Sequence, residues 1–489
     1  MESAGEAVMN QVLTWTDLAP ASAEIFLLAA ACAVLLVDLA LGPRQRWITY
    51  VLSIIALAGA AVLTSRYGAG ERTVALFGHY VADPLGTVLK LVNYAVVAVA
   101  LLYSRDYLDR RGLFKGEYFV LSLFAVLGIN VMISAGSLLT MYLGIEILSL
   151  ALYAMVAFDR DNGVAAESAM KYFVLGAIAS GTLLYGISIV YGVTGTFRLD
   201  WLGATLSSAN SHHIGLLFGL AFIVVGVAFK FGAVPFHMWV PDVYHGSPTA
   251  VTLFIGSAPK IASFALTMRV LAEGLGGMTE AWQGMLVVLS VLSMGLGNVI
   301  AIAQTNIKRM LAYSTISHVG FILLGFVAGT GEGYQAAMFY TLTYVIMATG
   351  SFGVILLLSR KGFEADELND FKGLNQRSPW FAFVMLVLMF GTAGVPPMVG
   401  FWAKVQVISA VLHIGLTSLA VAAVFFSVIG AFYYLRVVKL MYFDAPEDPA
   451  AIEASAGFRL VLSANALLVL VLGLTPGWML QVCASVIPG

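Results

Sequence analysis

Five ionisable side chains stand inside otherwise apolar stretches of this chain: Lys171, Lys230, Lys260, Lys404 and Glu146. Two of the lysines flank prolines, in FKFGAVPFHMW (229–239) and TAGVPPMVGFWAK (392–404). A charge at membrane depth costs about 2.5–3.5 kcal/mol even on the lenient insertion scale. Five such residues read as a pathway for ions or protons, lined with groups that can change charge. Lys260, in VTLFIGSAPKIASFALTM, lies 12 residues into its apolar run. That is about 18 Å along a helix axis, beyond the roughly 15 Å half-thickness of the hydrocarbon, which argues against snorkelling. A lysine held there can keep or release a proton as its surroundings change; a lysine paired only for packing is the plainer alternative.

Lys230 precedes Pro235. Proline frees a backbone carbonyl, and exposed backbone at that depth must be covered by protein or water. Lys230 is therefore expected either to cap such carbonyls, to carry protons, or to do both. Glu146, in MYLGIEILSLAL, is the only acid in the middle of a span. With several buried lysines and no other acid in the middle of a span, an ion pair is expected, and Lys230 is its candidate partner. Lys171 follows Glu167 by four residues, the spacing of an ordinary helix-end pair. His237 follows Lys230 by two helical turns and is a candidate proton carrier near neutral pH. His318 and Tyr313, in LAYSTISHVGF, are weaker polar points. Glu24, Asp38 and Lys90 are expected at the interface.

The elements that must position these groups are membrane helices. The chain has 489 residues, 60% apolar and 11% charged, with mean hydropathy +0.92. Soluble domains run nearer about 45–50% apolar and about 25% charged. A formal net charge of −2 argues against nucleic acid as partner. Two cysteines, Cys32 and Cys483, exclude a disulfide framework, a Cys-rich zinc site and protein-borne iron–sulfur clusters. Glu2, Glu6 and Asp17, with no basic run, give no cleavable leader in the first residues. No phosphate loop, Rossmann glycine pattern or metal-ligand cluster appears, so no cofactor or metal site is expected.

Roughly 20 apolar residues make a span. On that measure there are about fourteen: 20–41, 47–65, 85–104, 117–134, 136–158, 167–192, 212–239, 248–271, 281–303, 308–328, 335–358, 379–413, 416–443 and 457–480. The run 379–413 is too long for one straight helix, and Pro396 and Pro397 predict a break. Odd-numbered connections hold 16 Lys and Arg, among them Lys308; even-numbered ones hold 4. This positive-inside bias places both termini outside the cytoplasm. The longest polar segment, 359–379, is expected to be a solvated loop or surface helix, or alternatively a docking surface. Spans four to eight (117–271) and nine to thirteen (281–443) each contain five helices with a proline-interrupted fourth member. Three helices precede them in 1–116 and one follows in 457–489. Five is odd, so the second set must lie inverted, as in many transporters. The fold expected is an all-α polytopic membrane protein with two inverted five-helix repeats and broken helices seven and twelve.

The run FKFGAVPFHMWVPDVYHGSPTAVTLFIGSAPK (229–260) resembles the signature of the antiporter-like subunits of respiratory complex I, and PDVYHGSPTAVT and APK are most similar to the subunit N branch. NIKRMLAYSTISHVGF (306–321) and GVPPMVGFWAK (394–404) resemble the same family. The resemblance runs from about residue 20 to 480. It implies proton translocation driven by NADH oxidation and quinone reduction elsewhere in a complex. Glu146, Lys230, Lys260 and Lys404 fall on the family's essential ionisable positions, and Lys171, His237, Lys308 and Tyr313 on further polar ones. FMN, iron–sulfur clusters and quinone are implied in the parent complex, with none in this chain. Antiporter-like subunits M and L and small subunits such as K and J are implied partners, in a bacterial inner membrane. Subunit M typically carries glutamate where this chain has Lys404, and subunit L continues into a long lateral helix that is not seen here. Mrp-type sodium/proton antiporter subunits share much of the pattern and supply the alternative function.

Overall fold

The computed structural model describes residues 15–68, 70–208, 214–447 and 450–487. The first 14 residues, to which the leader expectation applied, and residues 212–213 at the expected start of span seven lie outside them. Membrane helices follow one another with short connections: α1 (Ser22–Ala40), α2 (Trp47–Tyr67), α3 (Pro84–Arg110), α4 (Gly116–Ile133), α5 (Leu138–Val156) and α6 (Gly163–Thr194). Helix seven is split into α7a (Ile214–Phe231) and α7b (Trp239–Gly246). Then come α8 (Thr249–Gly274), α9 (Thr279–Ala303), α10 (Ile307–Val327) and α11 (Gly331–Leu358). Helix twelve is split into α12a (Pro379–Ala393) and α12b (Val399–His413), and α13 (Thr417–Phe443) and α14 (Ala456–Leu474) complete the set.

Both expected breaks are present, but the first falls earlier than the proline. α7a ends at Phe231, and Gly232 takes a left-handed φ of 78°. The chain then turns through 233–238 and resumes as α7b, in sequence that read as the connection to span eight. α12a ends the same way, with Gly394 at φ 84°. A glycine at this position accepts the αL conformation without a Cβ penalty and lets two amides fold back on the last turn. Gly232 and Ala233 donate to the Ala228 carbonyl, and Gly394 and Val395 to that of Phe390. α8 is interrupted at Ser257, two residues before Pro259, and its last turn over Met268–Gly274 widens to a π-helix.

Burial orders the helices around a centre. α8, α10 and α11 are buried almost throughout, so they read as continuously apolar instead of amphipathic. α1, α2, α6 and α13 turn Leu36, Leu39, Val62, Ile178 and Val428 outward to where lipid or neighbouring chains would lie. α4–α8 and α9–α13 form the two five-helix sets, each with its fourth member broken.

Three small elements went unpredicted. A hairpin pairs β1 (Thr73–Ala75) with β2 (Tyr80–Ala82). Short helices cover Leu199–Ser208 and Gly477–Val486. The polar segment 359–379 corrects its expectation, because it is not simply solvated. Ala365, Leu368, Phe371 and Leu374 are buried, and backbone bonds tie Leu368 to Thr305 and Ile307 to Asp366.

Candidate functional site

A helix break deep in a membrane protein strands backbone carbonyls, and satisfying them positions the lysines. The last carbonyls of α7a have specific partners. Trp239 Nε1 donates to Phe229 O at 3.0 Å, Ser263 Oγ to Lys230 O at 3.3 Å, and Lys260 Nζ to Phe231 O at 2.8 Å. The capping lysine is thus Lys260, whereas the sequence suggested Lys230. Lys260 is 1% exposed, with its ammonium 5.9 Å from the Trp239 ring centre. The α12 break repeats the device. Lys404 Nζ donates to Ala393 O, the final carbonyl of α12a, at 2.7 Å and to Ser427 Oγ on α13 at 2.9 Å. Its ammonium lies 5.2 Å from the Phe321 ring centre. In both breaks an ammonium faces the negative end of a half-helix, where the macrodipole favours a cation.

Lys230 and Glu146 do not form the expected ion pair. Lys230 Nζ donates to Ser149 Oγ at 2.5 Å, and the Ser180 hydroxyl donates to the Glu146 carboxylate. Tyr142 OH lies 3.2 Å from the same serine oxygen. A cavity of about 230 Å³, lined by Ser149, Gly176, Ser180, Gly226 and Lys230, lies among α5, α6 and α7a. Two serines and a cavity of water-holding size therefore replace direct contact. Both groups are half-buried, less enclosed than a deep apolar run implies.

His318, on α10, stands at a hydroxyl cluster. Its ring nitrogens lie 2.7 Å from Tyr340 OH and 3.0 Å from Tyr434 OH. Ser314 bonds to Tyr434, and Thr315 lies 2.7 Å from Tyr344 OH. These partners come from α11 and α13, so the buried His318 has both nitrogens engaged. Sequence reasoning missed Tyr340, Tyr344 and Tyr434, along with Ser149, Ser180 and Ser427. The available signal was the clustering of Ser314, Thr315 and His318 within about one turn of an apolar helix.

The other expected residues divide. Lys171 is half-exposed near the start of α6, bonded to Glu167 at 2.9 Å and to Asp242 at 2.9 Å, so it does not lie deep. Asp242, inside the PDVYH motif, also takes Arg309 at 2.7 Å and ties α6, α7b and α10 together. Lys308 is buried at the start of α10 and donates to Ser247 O at 3.1 Å. His237 sits half-buried at the α7 break, with a buried Nδ1 that has no hydrogen-bond partner among the described residues. Tyr313 is half-buried and takes no part in the network around His318 among the described residues.

Lys90 and Glu24, expected at the interface, are enclosed by protein. They are 4% and 7% exposed and pair at 2.5 Å, with Tyr80 OH bonding to both. Burial pushes the Tyr80 phenol up to about 12 against the pull of Lys90, which keeps it a neutral donor. Asp38 accepts from Thr49 Oγ1 at 2.6 Å. Beside this cluster Asp83 caps α3 and pairs with the buried Arg269 at 2.6 Å, which also holds Glu273. Burial raises the Asp83 carboxyl's pKa, but Arg269 and the Gly86 amide outweigh it and hold the group below the usual range.

Among the described residues no group of His, Cys, Asp and Glu has a metal-holding arrangement. What remains is a row of ammonium, imidazole, phenol and hydroxyl groups across a helical bundle with two broken helices: the equipment of an ion- or proton-translocating membrane protein. The sequence model of a family described as NADH:quinone oxidoreductase/Mrp antiporter matches residues 135–430. The chain is 59% identical to the NADH-quinone oxidoreductase subunit N of Thiobacillus denitrificans, over 98% of this chain and 99% of that one. The fold is similar to a chain of respiratory complex I from Thermus thermophilus with bound aureothin, at TM-score 0.80 and 32% identity, covering 94% of this chain and 98% of that one. A chain of the Mrp complex from Dietzia shares the fold at TM-score 0.83 and 22% identity, covering 97% and 98%. The chain belongs to the NADH-quinone oxidoreductase subunit N family of complex I.

Proposed function

We propose that this chain is the membrane-arm subunit through which complex I moves protons as NADH is oxidised and quinone reduced in other subunits. Glu146, Lys230, Lys260 and Lys404 carry the protons in this reading. Lys171, His237, Lys308, Tyr313 and His318 have supporting roles. The observation that carries it is the pair of ammonium groups, Lys260 and Lys404, each held at the carbonyl end of a broken helix. Each can stay charged against that dipole or hand on its proton when the break shifts.

FMN, iron–sulfur clusters and quinone belong to the rest of the complex in this reading. The half-buried Glu146 and Lys230 need covering at membrane depth, and a neighbouring membrane subunit, the small subunits K and J or an antiporter-like M or L, supplies the cover. The chain lies in the bacterial inner membrane with both termini on the non-cytoplasmic side. It divides into three leading helices (1–116), two inverted repeats (117–271 and 281–443) and a last helix (457–489).

Copurification tests the assignment. The chain should be recovered with flavin, iron–sulfur clusters and NADH oxidation, and vesicles should acidify on NADH without sodium. Isolation free of redox partners, with sodium-dependent exchange, would establish the antiporter reading instead.

A further inference from the structure

The face that carries the basic connections has an opening that the row of lysines does not explain. A cavity of about 570 Å³ lies between the end of α3, the α5–α6 loop, the turn from α7b into α8, the start of α10 and the α11–α12 loop. Titratable groups line it from every one of these elements: Arg111, Asp159, His245, Lys308, Glu364 and Asp366. Lys308 is 3% exposed and forms no ion pair among the described residues; its one hydrogen bond is to Ser247 O.

Glu364 is the most connected of them. Its side chain is 16% exposed. It accepts from Tyr107 OH at 2.9 Å to each oxygen, pairs with Arg111 at 3.2 Å, and accepts from the Thr249 hydroxyl. Tyr107 OH in turn accepts from Thr249 N at 3.2 Å. A carboxylate near the water-accessible wall of a cavity thus sits directly on the first turn of α8, the helix that bears Lys260. Farther in, Ser247 and Thr252 hydroxyls meet at 2.9 Å, and the buried Tyr244 hydroxyl, which faces Thr315, has no close hydrogen-bond partner among the described residues. Thr315, Tyr344 and His318 follow on α10 and α11. A buried polar atom without a partner beside such hydroxyls is a place for an ordered water.

We propose that this cavity is the port by which protons enter the row from the basic face, and that Glu364 is the carboxylate that takes them up. The inference rests on the translocation reading above. A proton passes from water to a Glu364 oxygen, which neutralises the carboxylate and loosens the Arg111 pair. It then moves through water in the cavity past Lys308, and Glu364 returns to its charged form.

Inside-out vesicles present this face to the medium. Val164, at the rim, is 54% exposed. In Val164→Cys, a bulky membrane-impermeant cationic thiol reagent should abolish most NADH-driven pumping while NADH oxidation by ferricyanide stays unchanged. Wild-type vesicles given the same reagent should be unaffected. In Glu364→Gln, pumping should fall toward tenfold for each unit rise in medium pH once uptake is limiting, and Glu364→Asp should restore it. Labelled Val164→Cys that pumps normally would overturn the port. A pH-independent loss in Glu364→Gln that aspartate does not repair would reduce Glu364 to a latch. If Lys260→Gln stops pumping while both tests at the cavity leave it intact, entry lies elsewhere and the translocation reading survives. If Lys260→Gln also pumps, that reading itself fails.

Discussion

Lys260 allows the charge and the hydrogen bond of one side chain to be separated. Its ammonium is the partner of the Phe231 carbonyl at the end of α7a, at 2.8 Å in a buried site. Lys260→Met keeps most of the side-chain volume and removes the donor. An unsatisfied buried carbonyl costs about 1–3 kcal/mol. For a chain of 489 residues, an unfolding entropy of about 2.1 cal/mol/K per residue converts that to a fall of about 1–3 °C in midpoint. Lys260→Gln is one bond shorter but still carries an amide donor, which reaches the carbonyl directly or through one water. It should recover most of that thermal loss. Neither variant holds an exchangeable positive charge, so both should lose NADH-driven acidification of inverted vesicles while ferricyanide reduction continues. The midpoint would be followed as heat-induced aggregation of this subunit in solubilised membranes, beside the pumping assay. A glutamine variant that is thermally restored and pumps at the wild-type rate would refute the reasoning, because the lysine would then be a structural cap and nothing more.

Lys404→Gln should behave in parallel, since the same kind of carbonyl is capped; Ser427→Ala removes only a neutral partner and should cost about 1 kcal/mol, with pumping largely kept, as read by the same two assays. Glu146→Gln keeps a hydrogen-bonding partner for Ser180 but no negative charge, so the complex should assemble on a native gel and pump poorly, with Glu146→Asp intermediate; full pumping in the glutamine variant would remove Glu146 from the path. The Asp83–Arg269 pair predicts a pH dependence of stability. Asp83 titrates below its unfolded value of about 3.9, so its contribution is complete above that pH and is lost as pH falls through the lower, folded value. Asp83→Asn should therefore be less heat-stable than wild type at pH 7 and should lack this component of acid sensitivity; an unchanged acid slope in the variant would show that the pair contributes nothing.

The helices were legible because lipid imposes one rule on every span: length and apolarity. The loop charges confirmed the count through an independent signal. The breaks were legible as chemistry but not as coordinates. Proline marked them, yet α7a stops at Phe231 because Gly232 folds the chain back before Pro235 is reached. The membrane lysines were found because a charge in hydrocarbon is conspicuous, whereas their partners were invisible. Phe231 O and Ala393 O are backbone atoms that no residue type advertises, and Ser149, Ser180 and Tyr434 are ordinary residues until packing brings them to an ammonium, a carboxylate or a ring. The enclosure of Lys90 was invisible for a related reason. Its distance from a helix end suggested the interface, and β2 folds back to deliver Tyr80 onto it there, in a hairpin with only a three-residue register.

The two breaks also bear on how charge can move. A lysine capping a helix end is held by a dipole that belongs to backbone geometry, so its hold on a proton is set by a distance that a small shift of the half-helix alters. Lys260 reaches α7a from α8, while Lys404 reaches α12a from α12b within its own broken helix. A displacement between helices seven and eight would therefore change the first cap without changing the second. Between the two caps the second set carries a buried polar cluster, His318 with Tyr340 and Tyr434, joining α10, α11 and α13. With both ring nitrogens engaged, the histidine takes a proton when the phenol that donates to it turns its hydrogen away and accepts from the ring instead. The two halves of the row are on this account linked by rearrangement of hydrogen bonds, and the lysines can change charge in sequence instead of together.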